Sequence, residues 1–244
     1  MRIALAFLIV LCCAPRPASA GRSFYGWLYG TEVLPERGIE LQTWILETND
    51  RYGTHAKESS IWWGPLIGVT DQLELALPIE LEWVTQDNPT RTLFTFRRFG
   101  IEARYRLLSP DPAETSGFVP LIRIAAKRDV SVRDDVRLEG DLVTSYEAGP
   151  FQAQIDLGFV SDITPHEHHS EARPGAGISL RVAEGLRFGG EVYSEMSFES
   201  RAETWAVAGP NLSWTHGRFW FSGAVGIGLY HVRLAPRAMW GIAF

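Results

Sequence analysis

Two groups of side chains in this chain have types and spacing suited to chemistry. The first is the run His166-Glu167-His168-His169. Imidazoles beside a carboxylate are ligands for Zn²⁺ or Cu²⁺. No residue nearby in sequence is placed to orient them, so the run reads as a solvated polar loop, and no metal or other cofactor is expected. The second group is a long series of charges of both signs set two residues apart. Glu74, Glu80 and Glu82 fall in one stretch, Arg98, Glu102, Arg104 and Arg106 in the next, and Arg123 and Lys127 in a third. Arg137, Glu139 and Asp141 follow, then Asp156, then Arg181 and Arg187, then Glu191 and Glu195, with Glu40 and Arg237 near the two ends. The first of these stretches offers only acids and the second mainly bases, so ion pairs between them are available. Such a set either fills an interior as a structural salt-bridge network or lines a narrow conduit or small-ligand site. The residues leave both open. No P-loop, dinucleotide fingerprint, G-x-S-x-G or H-E-x-x-H motif occurs.

The elements that must position these charges are strands. Alternate side chains of a strand point to opposite faces. In 73–83, Leu73, Leu75, Leu77, Ile79, Leu81 and Trp83 face one way, and Glu74, Ala76, Pro78, Glu80 and Glu82 the other. The same alternation appears at 98–107, 151–159 and 218–229. Turn signals at Asp71-Gln72, Gly149-Pro150, Glu184-Gly185 and His216-Gly217 divide the chain. They predict strands at 38–48, 59–70, 73–85, 92–107, 117–129, 134–147, 151–161, 171–182, 186–197, 203–215, 218–230 and 235–244. Pro65, Pro78, Pro120, Pro174 and Pro210 fall inside these spans, where each must sit at a bulge or forfeit a ladder bond. Residues 24–33 also look strand-like, but are not counted among the strands.

Residues 1–20 have the pattern of a secretory signal peptide: Arg2, an apolar run from Ile3 to Leu11, and Ala18-Ser19-Ala20 as the cleavage site. Cys12 and Cys13 lie within it, so the expected mature chain, starting at Gly21, has no thiol or disulfide. The formal charge of −6 at pH 7 becomes more negative once Arg2 and Arg16 leave, which argues against nucleic acid as a partner. The composition, 45% hydrophobic and 21% charged, is that of a folded protein without apolar helices long enough to span a membrane. The expected organisation is a signal peptide (1–20), an N-terminal periplasmic or lumen segment (21–37) and one domain (38–244).

Strands of ten to sixteen residues are longer than the five or six usual in soluble sheets and match the reach of tilted membrane strands. Trp44, Trp63, Trp83, Tyr105, Tyr146, Trp205, Trp214 and Trp240 lie toward strand ends, as aromatic side chains do at a membrane–water interface. The chain ends in AMWGIAF, with Trp240, Ile242 and the terminal Phe244 on one face. This ending, together with the strand pattern, resembles the C-terminal signature of Gram-negative outer-membrane β-barrels, which the barrel-assembly machinery reads. The resemblance implies an all-β fold: a single closed, antiparallel, up-and-down transmembrane β-barrel of about twelve strands in the outer membrane. It implies apolar side chains toward lipid, the charged set toward the lumen, and Trp240, Ile242 and Phe244 as an assembly signal. Its partners would be outer-membrane lipid, the assembly machinery and a small solute.

Within that class, His168-His169-Ser170 is similar to the His-x-Ser spacing of twelve-stranded outer-membrane phospholipases, in which an Asn orients the His. The Gly residues that flank that motif are missing. Asn49, Asn88 and Asn211 are far from Ser170 in sequence, so no enzymatic activity is expected. The expected function is a passive channel or a small-solute transport or binding barrel with a mixed-charge lumen. The alternatives are a structural or interaction barrel with a plugged lumen and, third, a lipid-modifying enzyme.

Overall fold

The computed structural model describes residues 23–87, 90–108, 116–132 and 134–244; the signal peptide expected at 1–20 lies outside them. Thirteen strands follow in order: β1 (Ile39–Asn49), β2 (Ala56–Gly68), β3 (Leu73–Ala76), β4 (Ile79–Asp87), β5 (Thr90–Arg106), β6 (Ser116–Asp129), β7 (Val136–Ala148), β8 (Phe151–Ile163), β9 (His168–Ala183), β10 (Leu186–Ser197), β11 (Trp205–His216), β12 (Phe219–Tyr230) and β13 (Leu234–Ala243). Each pairs antiparallel with its neighbours, and β13 closes on β1 through Glu40–Ala243 to Asn49–Leu234. β3 and β4 form one stave of the barrel, both lying between β2 and β5. The result is a closed barrel of 12 staves with one strand split in two.

The split has a local cause. Pro78 has no N–H to give to a ladder, and the chain leaves regular pairing at Leu77-Pro78. Leu77 N–H still reaches the Pro65 carbonyl (3.1 Å), and Gly100 N–H reaches that of Pro78 (3.1 Å). Gly64 permits this approach, because a Cβ there would lie 2.5 Å from the Leu77 carbonyl oxygen. A second irregularity lies between β4 and β5, where Glu80 faces Arg98 but Leu81 faces Phe96. Arg97 is the extra residue of a bulge. Phe96 and Phe99 therefore both point outward, while Arg97 and Arg98 both point inward.

The faces divide by polarity in the sense opposite to a soluble barrel. Ile101, Ile124, Ile155, Leu157 and Ile178 are each at least half exposed on the outer wall, whereas Glu74, Glu102 and Arg123 are buried to about 1% inside. Ile242 and Phe244 stand on the outer wall, and Phe244 N–H bonds the Ile39 carbonyl across the closing seam at 2.8 Å.

Some of the aromatic assignments are corrected. Trp63 and Trp214 are exposed on the outer wall, but Trp44 (7% exposed) and Trp205 (1%) are lumen residues, as are Trp62 and Trp220. Their position along a strand resembles that of an interfacial ring, but their parity in the alternation turns them inward. The connection between β8 and β9 is also shorter than expected. The two strands stay paired as far as Ile163–His168, so His168 and His169 begin a strand instead of lying in a loop.

The outer wall should be intolerant of charge. Ile155→Arg, mid-strand on that wall, is expected to cost about 2–4 kcal/mol, measured by denaturant-dependent refolding into lipid vesicles. A loss under about 0.5 kcal/mol, the range of an ordinary surface substitution, would mean that this face does not meet hydrocarbon.

Candidate functional site: the occupied lumen

Residues 23–37 enter the barrel and turn back within it. Phe24 and Glu32 line a cavity at the end that carries the tight turns, the start of β1 and the end of β13, which is periplasmic in this fold. Between them the segment rises to Trp27 and Tyr29, which line a cavity on the opposite side. Tyr25, Trp27, Leu28 and Leu34 are buried to 2% or less.

The segment forms no strand, so its backbone groups depend on side chains of the wall. Glu191 accepts from Gly26 N–H and Trp27 N–H, both at 2.8 Å. Asp156 accepts from Tyr29 N–H at 2.9 Å, and Glu74 from Leu34 N–H at 2.7 Å. Gln154 donates to the Tyr29 carbonyl (2.6 Å), and Thr31 and Ser145 share a hydroxyl bond of 2.7 Å. Aromatic contacts lock the same residues. Trp27 stacks on Tyr193 with ring centres 4.9 Å apart, and Tyr29 lies 5.1 Å from Trp44, which stacks on Trp62.

Around this plug runs a belt of ion pairs. Arg123 reaches Glu102 (2.7 Å), Glu139 (2.6 Å) and Asp141 (2.6 Å), with its guanidinium 4.1 Å from the Tyr29 ring centre. Arg104 bridges Glu102 (2.7 Å) and Glu74 (3.0 Å), and Lys127 bridges Glu80 (2.6 Å) and Glu139 (2.9 Å). Arg137 binds Glu139 at 2.8 Å and Asp162 at 2.5 Å. Arg173 binds Glu171 and, at 3.5 Å, Glu195. At the external rim Arg51 reaches Glu58 at 2.6 Å and Glu195 at 3.8 Å. Burial works against the Arg51 charge, but Glu195 and Glu58 outweigh it and push its pKa up.

The charged residues singled out in the sequence all lie on the inner side of the wall, Arg181 half exposed at the periplasmic mouth. Glu40 accepts a 3.5 Å bond from Gln42, and Arg98 pairs with Glu80 at 3.7 Å. Glu82 pairs with Arg97 at 3.0 Å, and Arg106 with Glu32 of the plug at 3.8 Å. The belt unites Glu74, Glu80, Glu102, Arg104, Arg123, Arg137, Glu139 and Asp141. Glu191 stands apart as a plug anchor, and Glu195 joins the belt to the rim. Sequence reasoning missed Arg97, Asp129, Asp162, Glu171 and Arg173. The signal for Arg97 was present: the apolar phase changes from Phe94 and Phe96 to Phe99 and Ile101 across Arg97-Arg98, as a bulge requires.

Two cavities meet above the plug. An outer vestibule of about 480 Å³ is lined by Arg51, Glu58, Asp162, Glu171 and Trp205 among others. It shares Arg97, Arg98, Arg137, Arg173 and Glu195 with an inner cavity of about 180 Å³, whose floor is Trp27 and Tyr29. Below the plug, the periplasmic cavity of about 580 Å³ has a different lining, with Glu147, Arg181 and Arg187.

His168 Nε2 lies 2.7 Å from Ser161 Oγ and 3.2 Å from Ser170 Oγ. All three residues lie on the outer wall, in line with Phe159 and Ile163. Among the described residues the hydrogen bonds of the His168 ring go to these two hydroxyls. His169 turns to Glu199 (3.2 Å) and Glu203 (3.7 Å). No cluster fit to hold a metal occurs among the described residues.

No protein-family model and no curated protein matches the sequence. Solved structures do. An outer-membrane channel from Pseudomonas putida F1 superposes with a TM-score of 0.61 at 9% identity, covering 88% of this chain and 98% of that one. The β domain of the Bordetella autotransporter BrkA gives 0.54 at 7% identity, covering 86% and 100%. The translocator domain of the Neisseria meningitidis autotransporter NalP gives 0.52 at 10% identity, covering 85% and 89%. The fold is that of Gram-negative outer-membrane β-barrels. Channels and autotransporter translocators share it, so the fold alone does not choose a function.

Arg123 is the centre of the belt. Arg123→Leu would leave buried Asp141 without its cation and take one partner from Glu102 and Glu139, and should cost about 3–5 kcal/mol, read by urea unfolding of the barrel in vesicles. A loss below about 1 kcal/mol, the level of an exposed ion pair, would mean that water reaches these groups freely.

Proposed function

We propose that this outer-membrane barrel binds and admits small solutes and has no enzymatic activity, and that in the described state it is closed by its own N-terminal segment. One observation carries the reading: a charge-lined cavity leads inward from the external rim and ends on Trp27 and Tyr29, residues of a segment held by hydrogen bonds and stacking. A barrel meant only as a wall has no need of a recess leading to its centre. With cleavage after Ala20 the segment would also have a free end, so its withdrawal toward the periplasm breaks no chain connection. The alignment of Trp240, Ile242 and Phe244 on the outer wall supports their role as an assembly signal for the barrel-assembly machinery.

Planar-bilayer recording separates a conduit from a permanently filled barrel. The full chain should be silent or open rarely. A variant lacking residues 24–34, folded as judged by heat-modifiable mobility, should give discrete openings. Silence from both proteins would favour the structural or interaction barrel instead.

A further inference from the structure

Nearly every charge in the lumen is answered by one of opposite sign. Among the described lumen arginines, Arg237 of β13 alone has no carboxylate within ion-pair distance. Its guanidinium lies 4.7 Å from the ring centre of Trp44 and 5.3 Å from that of Trp27, and it donates a long 3.4 Å bond to the Trp27 carbonyl. Its Nε is buried without an acceptor. The acids in its electrostatic neighbourhood, Asp156 and Glu191, already serve the plug's N–H groups of Tyr29, Gly26 and Trp27.

Arg237 lines the inner cavity. The other acids on that lining are engaged by cations: Glu80 by Lys127, Glu82 by Arg97, Glu139 and Asp141 by Arg123, and Glu195 by Arg173. Asp156, also on the lining, has no cation within ion-pair distance among the described residues, but the lining carries seven basic side chains and six acidic ones, so its excess charge is positive. A guanidinium presents a planar fork that fits a carboxylate. Around it the walls are flat and apolar, formed by Trp27, Tyr29, Trp44, Trp62 and Tyr193. A cavity of about 180 Å³ suits one small molecule and excludes an oligomer.

We propose that the inner cavity binds a small organic carboxylate with an aromatic body, its carboxylate taken by Arg237 and its ring by the tryptophan and tyrosine walls. This rests on the reading of the barrel as a solute conduit and names the class of solute. The ligand carboxylate replaces the Trp27 carbonyl as the acceptor for Arg237, so occupancy loosens one anchor of the plug.

Benzoate is the probe, and the tryptophans of the cavity report it. Titrating benzoate into the full-length refolded barrel should change tryptophan fluorescence saturably. Benzylamine, with the same ring and the opposite charge, should not do so over the same range. Arg237→Gln should weaken benzoate binding about tenfold or more, the scale of a hydrogen bond to a charged group. Arg237→Lys keeps the charge above the indoles but loses the fork, so it should bind more weakly than wild type; it carries the test if the Gln variant fails to fold. No saturable response in wild type, an equal response to benzylamine, or unchanged affinity in a folded Arg237 variant would overturn the assignment. Conductance of the plug-deleted barrel does not depend on this site. Openings without benzoate binding would overturn the ligand class alone, and benzoate binding by a barrel that stays silent would overturn the conduit alone.

Discussion

Closure of the sheet is the constraint on which the rest depends. In hydrocarbon an unpaired backbone group costs several kcal/mol, so every strand must find two partners. β13 meets β1 along the seam from Glu40–Ala243 to Asn49–Leu234, and no edge is left open. With the backbone satisfied, the two-residue period sends alternate side chains to lipid and to the interior. Ile101, Ile124 and Ile155 then require Glu102, Arg123 and Asp156 as their inward neighbours. The polar lumen is the other half of an apolar outer wall.

A twelve-stave barrel is wider than its own side chains fill, since eight staves already give an interior that side chains can just pack. Two devices fill the remainder. The charged belt runs from β3 to β9, with Arg123 reaching three carboxylates. On the opposite side Trp44, Trp62 and Trp220 make an apolar wall with Leu34 of the plug. The N-terminal segment lies between these unlike walls and answers each in kind: its amides meet Glu191, Asp156 and Glu74, and its rings meet Tyr193 and Trp44. Buried ion pairs are costly to desolvate and add little net stability. The belt is better understood as fixing register and holding open a polar recess that hydrophobic packing would have closed.

Much of this was legible in the sequence because strand parity is local. Alternation around Leu75, Ile101 and Ile155 fixed which side chains face outward and, with them, the inward position of Glu74, Glu102 and Asp156. What was not legible depends on register and on contacts far apart along the chain. The bulge that brings Arg97 inward beside Arg98 is set by pairing with Glu80. The Pro78 split depends on Pro65 of the neighbouring strand. Trp44 and Trp205 stand toward strand ends as interfacial rings do, but their parity turns them into the lumen. The path of residues 23–37 is fixed by partners more than 100 residues away, such as Gln154 and Glu191, and no local pattern encodes it.

The central claim is that the N-terminal segment occupies the lumen against the inner wall, and a disulfide trap tests it most directly. Thr31 and Ser145 face each other with hydroxyl oxygens 2.7 Å apart, and Cys12 and Cys13 both lie within the expected signal peptide, so a mature chain carrying Thr31→Cys and Ser145→Cys would have no other thiol. The account predicts that this pair oxidises during assembly in the cell envelope, giving a mobility shift that reductant reverses and protection from a hydrophilic maleimide. Two free thiols that the maleimide labels readily in the folded, membrane-inserted barrel would contradict it.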